Sequence, residues 1–274
     1  MKKTFTIILS IIFLASCADI SFNKTKKLIS DSSSYDIESL SKIEDKISKS
    51  HYSIEQANEI RLLYTDYINN VGKRITDSIN DLFCNTDVSE LNFLEVYENT
   101  NLQSKELQNY GIILYYVEGS VYYDILPLHV YDVFQEYLTP YDQKLAYIQQ
   151  KEIEEPILID AGIVVPCSEI ANRLHETELI IQEYNDTSNM EILEYKQRYM
   201  ILLMFGSDNT PAFDWYTHEM NEDFKNEIIN YINEYPDSPC SKIFSEYIQI
   251  LSKTNFKENK ESRKFIEQLI KSFY

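Results

Sequence analysis

The spacing of apolar residues constrains this chain more than any other feature. From Ile54 to Leu82 they recur at steps of three or four, through Ala57, Ile60, Tyr64, the adjacent pair Tyr67 and Ile68, Val71, Ile75 and Ile79. Steps of three and four share a face only on a helix, so one long amphipathic helix is predicted, opened by Ser53 and Gln56 at capping-box spacing and with Gly72 as its expected kink. Ile37, Leu40, Ile43 and Ile47 predict a helix before it, and a short one is expected near 90–97. The period then changes. Residues 111–117 and 120–126 are β-rich and flank Glu118-Gly119, which predicts a tight hairpin whose two apolar or aromatic faces are both expected to pack. Beyond Pro127 the helical period returns, with helices expected near 128–138, 140–155, 168–184, 189–205, 217–234, 239–252 and 260–273. The fold class is therefore mainly α, built of antiparallel helix hairpins with one small β-hairpin near 111–126.

The N-terminus has a different pattern. Lys2 and Lys3 precede a ten-residue apolar run, Phe5 to Leu14, followed by small residues. A bilayer core of about 30 Å needs roughly 20 apolar residues as a helix, so the run reads as an export signal rather than a membrane span. Leu14-Ala15-Ser16-Cys17 resembles the lipobox of bacterial lipoprotein precursors. That resemblance implies cleavage before Cys17, acyl chains on its thiol and new amine, and a membrane as partner through those chains. Several chains on one residue anchor a protein firmly, at about 0.8 kcal/mol per buried CH₂. Ala18, rather than Asp, directly after the cysteine is compatible with an outer-membrane destination in a Gram-negative host. The expected organisation is a signal peptide at 1–16, a polar, Ser-rich lipidated tether at 17–34, an N-terminal helical region ending in the hairpin at 35–126, and a helical-hairpin region at 127–274.

Three joints in the last region look alike. Gln135-Glu136-Tyr137 precedes Thr139-Pro140, Gln182-Glu183-Tyr184 precedes Thr187-Ser188, and Asn233-Glu234-Tyr235 precedes Ser238-Pro239. Each closes an apolar-periodic segment and opens another with a capping residue. Tyr235-Pro236-Asp237-Ser238 resembles the joints of tetratricopeptide-like helical envelope proteins. That likeness implies an irregular repeat with Tyr137, Tyr184 and Tyr235 in equivalent positions; the alternative is a non-repetitive helical domain with similar caps.

Charge removes one class of function. The chain carries 44 acidic against 25 basic residues, and loss of Lys2 and Lys3 with the leader moves its formal net charge from −19 to −21. Nucleic-acid binding depends on neutralising phosphates, so no nucleic-acid partner is expected. With five glycines there is no phosphate loop, dinucleotide fingerprint or Gly-x-Ser-x-Gly, and no cofactor is expected. His51, His129, His175 and His218 are far apart and read as surface or cap residues. Cys84, Cys167 and Cys240 read as buried free thiols, with one disulfide as the alternative.

The segment from Gly206 to Trp215, which holds the only tryptophan, is the candidate binding site, with Asp208, Asn209, Asp214 and Trp215 as its candidate residues. It resembles a Gly-x-Asp-Asn-Thr-Pro-x-Phe-Asp segment of exported bacterial proteins. Turn chemistry alone also accounts for it, through a terminating Gly206, an Asx-turn at Asp208 or Asn209, and Pro211. Asp208, Thr210, Asp214 and Glu219 fall at positions 1, 3, 7 and 12 of a calcium loop, but Phe213 stands where such a loop needs glycine, so no metal is expected. The leading expectation is a membrane-anchored envelope lipoprotein with a binding or scaffolding role and a protein partner. An envelope hydrolase acting on cell-wall material is the alternative, and an acidic inhibitor of a cationic protein such as a lysozyme is a weaker one.

Overall fold

A computed structural model describes residues 19–85, 104–117, 120–184 and 190–273. The chain is mainly helical with a small antiparallel hairpin, and it forms two compact units that divide at Ile153 and Glu154. Cys17, the leader, the helix expected near 90–97, the Glu118-Gly119 turn and Ser188 lie outside the described residues. No described helix is long and apolar enough to cross a membrane.

The N-terminal unit opens with α1, residues 19–31, followed by α2 (Ile37–Ser48), α3 (Ile54–Asn85), α4 (104–108), β1 (Ile112–Val117), β2 (Ser120–Ile125), α5 (Pro127–Phe134) and α6 (Pro140–Glu154). Asp36 caps α2 by accepting from Ser39 N–H at 2.7 Å, and Ser53 and Gln56 bond reciprocally at 3.1 and 3.2 Å to open α3. Leu40, Ile43 and Ile47 of α2 share a core with Ile60, Tyr64 and Ile68 of α3, and Phe134 of α5 belongs to the same cluster. Each such side chain contributes about 1.5–3 kcal/mol by leaving water.

Three expectations about this unit are corrected. The segment read as a tether at 17–34 is largely α1. Thr25 is fully buried and bonds Tyr52 Oη at 2.8 Å, Ser21 donates to Ser50 at 2.7 Å, and Ile29 enters the core. The physical reason is the stripe Phe22, Thr25, Ile29, whose helical spacing outweighs a Ser-rich composition. The region boundary expected at 126/127 falls at 153/154, because Phe134, Val130 and Val133 of α5 pack in the N-terminal core. The hairpin also packs on one face only. Tyr123 lies so close to Gly72 that a Cβ there would sit 2.4 Å from its ring, which explains the glycine as a close approach within the helix Ile54–Asn85. Asn80 extends the contact by pairing with both backbone groups of Val121, at 2.7 and 2.9 Å. On the other face Tyr115 and Tyr122 stack at 5.9 Å and stay 41% and 49% exposed.

The C-terminal unit contains a second hairpin, β3 (Leu158–Ile159) and β4 (Gly162–Ile163), then α7 (Cys167–Tyr184), α8 (Met190–Phe205), α9 (Glu222–Glu234), α10 (Pro239–Ser252) and α11 (Lys260–Lys271). Short connections make α7 with α8, and α9 with α10, antiparallel neighbours. Leu174, Leu203, Ile228, Phe244 and Ile266, one from each helix, belong to a single core. Ser238 caps α10 through Cys240 N–H and Ser241 N–H, with Pro239 in the first turn. The helix expected to begin near 217 begins at Glu222, where Asn221 is the cap. Residues 217–220 belong instead to a bridged loop.

The three joint tyrosines are not equivalent. Tyr137 follows the end of α5 in the N-terminal unit, where its hydroxyl donates to Ser50 carbonyl at 3.3 Å and accepts from Tyr52 N–H at 3.2 Å. Tyr235 stacks on His175 of α7 at 3.7 Å. Tyr184 closes α7 half-buried. Similar caps thus serve dissimilar surroundings.

The β3–β4 turn was not visible in the sequence pattern. Asp160 and Ala161 both have positive φ, 48° and 56°, the requirement of a two-residue type I′ turn. Alanine is strained there. Ala161→Gly is therefore expected to raise stability by about 0.5–1 kcal/mol, read as a higher urea midpoint at unchanged slope.

Cys167 and Cys240 are free. Burial, then the Asp223 and Glu227 carboxylates, pushes the Cys167 thiol up to about 11, and burial pushes the fully enclosed Cys240 well above the ordinary thiol value. Both are poor nucleophiles as a result.

Candidate functional site

The loop of residues 206–221 joins α8 to α9 in a conformation fixed by its own backbone. Gly206 pairs with Pro211, Phe213 with Met220, and Glu219 with Lys257 as antiparallel bridges. Asp214 N–H donates to Glu219 carbonyl and Ala212 N–H to Phe205 carbonyl, both at 2.9 Å, while Asn221 N–H donates to Ala212 carbonyl at 2.8 Å. Gly206 starts this path with φ +78°. The apolar residues Ala212 and Phe213 turn inward, at 0% and 7% exposure, which holds the loop on the core.

The four residues singled out from sequence separate into two roles. Asn209 is a fastener. Its N–H donates to Ala161 carbonyl at 3.0 Å and its side-chain amide to Asp160 carbonyl at 2.5 Å, while Thr210 Oγ1 accepts from Ile163 N–H at 3.0 Å. These bonds tie the loop to the β3–β4 turn. Asp208, Asp214 and Trp215 instead line a groove of about 510 Å³, within the size range of small-ligand sites.

Two helices complete this groove. Ile201 and Phe205, one turn apart on α8, form one wall; Arg263, Ile266, Glu267 and Ile270, at positions that share a face of α11, form the other. Glu258 and His218 line it as well. Trp215 and Phe205 are 71% and 48% exposed. Four carboxylates, those of Asp208, Asp214, Glu258 and Glu267, face one guanidinium, which Glu258 already holds at 2.5 Å. His218 Nδ1 stands 3.9 Å from the same Glu258 oxygen. N–H donors from Thr217 and Tyr216 hold the Asp214 carboxyl below its ordinary value.

Neither metal nor nucleophilic chemistry finds its usual arrangement here. Of the four positions with calcium-loop spacing, Asp214 caps the loop, Thr210 bonds Ile163 and Glu219 pairs with Lys257 at 3.0 Å. Among the described residues no three His, Cys, Asp or Glu converge on one point. Ser207 Oγ is buried in the groove wall without a hydrogen-bond partner, so no base is placed to activate it.

A second cavity, about 550 Å³, lies over the Tyr235-Pro236-Asp237-Ser238 joint and is lined by His175, Glu178 and Lys196. Glu178 accepts from Tyr231 Oη at 2.6 Å, Ser238 Oγ at 2.5 Å and Cys240 N–H at 3.1 Å, with Lys196 Nζ at 3.5 Å. This carboxylate holds α7, α9 and α10 together. In the N-terminal unit Glu44, Tyr64 and His129 form a comparable closed cluster, with Tyr64 Oη donating to Glu44 at 2.6 Å and His129 Nε2 3.0 Å from the same oxygen. His129 and His175 are thus half-buried packing residues rather than surface ones.

No protein-family model, curated protein or solved structure matches this chain.

The groove walls went unrecognised in the sequence because they come from segments some 60 residues apart. The available signal was the pair of one-turn repeats, Ile201 with Phe205 and Ile266 with Ile270, each placing apolar residues at a helix edge.

Proposed function

We propose that the protein is an exported binding protein of a bacterial envelope, carried on a membrane by acyl chains on Cys17, whose working surface is the groove between the 206–221 loop, α8 and α11. The observation that carries this reading is Trp215, a 71% exposed indole over a groove whose framework is already fixed by backbone hydrogen bonds. Exposing tryptophan to water is unfavourable, and tryptophans in such positions are frequent centres of binding energy. A prebuilt loop lowers the ordering cost of binding. The lipobox supports the address and the acidic surface argues against nucleic acid.

Photo-crosslinking in intact cells tests this reading. Benzoylphenylalanine at Phe205, on the groove, is compared with the same group at Leu62, which is 67% exposed on α3. A discrete adduct from position 205 that is absent from position 62 is the expected outcome. The same adducts from both positions, or none from 205, would remove the groove from consideration as the working surface.

A further inference from the structure

We propose that the groove takes a cationic, amphipathic peptide segment of a protein partner, with an apolar side chain seated between Trp215 and α11 and Lys or Arg side chains reaching Asp208 and Glu267. This rests on the groove being the binding surface and adds the class of ligand. The shape argues for an apolar anchor: Ile201, Phe205, Ile266 and Ile270 supply facing aliphatic and aromatic walls, and Trp215 supplies a ring large enough to cover an inserted side chain.

The charges argue for the flanks. Arg263 is held by Glu258, and Asp214 is taken up by the N–H groups of Tyr216 and Thr217. Asp208 and Glu267 are exposed and form no ion pair among the described residues. An anionic ligand entering the groove would meet these carboxylates and the repulsion of the net −21 mature chain, whereas a cationic one is attracted by both. A lipid acyl chain alone would use the walls and ignore the rim. The rim therefore distinguishes a basic peptide from a purely apolar guest.

Trp215 is the only tryptophan, so intrinsic fluorescence reports this groove directly. The mature lipidated chain in phosphatidylcholine nanodiscs is titrated with three capped peptides: Leu-Phe-Leu flanked by two lysines on each side, its glutamate-flanked counterpart, and heptalysine. A saturable blue shift is expected with the first, at least tenfold weaker binding with the second, and no shift with the third. Asp208→Asn combined with Glu267→Gln should weaken the lysine-flanked peptide about five- to tenfold, while Glu38→Gln with Glu55→Gln, the same charge change on exposed positions of α2 and α3, should leave it within twofold.

Equal binding of the lysine- and glutamate-flanked peptides would overturn the charge assignment and leave the groove as an apolar binding site. A shift with heptalysine, or equal weakening by the remote pair, would assign the attraction to the whole molecule and overturn the proposal. No shift with any peptide, in a protein that still crosslinks from position 205, would overturn the ligand class alone; loss of both would overturn the groove reading as well.

Discussion

Glu178→Ala is expected to lower the stability of the C-terminal unit by about 3–5 kcal/mol, the range for breaking a buried charge network by removing one partner. Glu178 is 8% exposed and serves three helices at once. Without it the hydroxyl of Tyr231, a residue only 1% exposed, loses its acceptor and the Cys240 N–H loses one of two. Lys196 loses its paired charge, and a cavity remains where the side chain stood. Chemical denaturation followed by far-UV circular dichroism measures the loss. A change below about 1 kcal/mol, the size of an ordinary surface substitution, would mean that the network does not join α7 to α9 and α10.

The same carboxylate predicts a pH response. Burial acts to raise its pKa, but hydrogen bonds from Ser238, Tyr231 and Cys240, with Lys196 nearby, outweigh burial and leave the folded value below the ordinary one. A depressed folded pKa contributes stability above the unfolded value of about 4.3, and that contribution disappears as pH falls through the folded pKa. Glu178→Gln should therefore show a shallower loss of stability on acidification than the parent, in unfolding curves taken between about pH 5 and pH 3.

Gly206→Ala is the second large effect. A Cβ at this position would lie 2.3 Å from Thr210 carbonyl oxygen and 2.5 Å from Ala212 nitrogen, and the residue holds φ +78°. The obstacles are backbone atoms of the loop itself, so they cannot yield by a rotamer change. Strain of about 1–3 kcal/mol for the dihedral and a comparable amount for overpacking give an expected loss of about 2–4 kcal/mol. The loop between Gly206 and Asn221 must move to relieve the clash, so Trp215 emission should shift in the folded variant. Parent-like stability together with parent-like emission would contradict the account of a rigid loop.

Much of this fold was readable from residue spacing. The helices from Pro140 onward begin and end within about two residues of expectation, apart from the start of α9, because apolar periodicity, Pro239 and capping residues such as Ser238 act locally. The exceptions have tertiary causes. Residues 217–220 continue a helical pattern into α9, yet Met220 N–H is claimed by Phe256 carbonyl and Phe213 pairs with Met220, so the loop prevails over local propensity. The tether became α1 because Thr25 and Ile29 find partners contributed by α2, α3 and the turn between them, which no composition argument could supply. Asp160-Ala161 turned without the usual Asn-Gly because Asn209 grips its carbonyls. Asp208, Asp214 and Trp215 were found from sequence as members of one polar segment; Arg263, Ile266, Glu267 and Ile270 were not, since only the folded unit brings α11 beside that segment.

We propose that the groove lined by Trp215 is displayed from a membrane by lipid on Cys17. Fractionation of cells expressing Cys17→Ala, with intact-mass analysis of the parent, tests it most directly. The parent should partition with membranes as a chain beginning at Cys17 and bearing diacylglycerol, and the variant should be released or remain an unprocessed precursor. A variant whose signal is cleaved and which still fractionates with membranes, or a parent whose Cys17 carries no lipid, would contradict it.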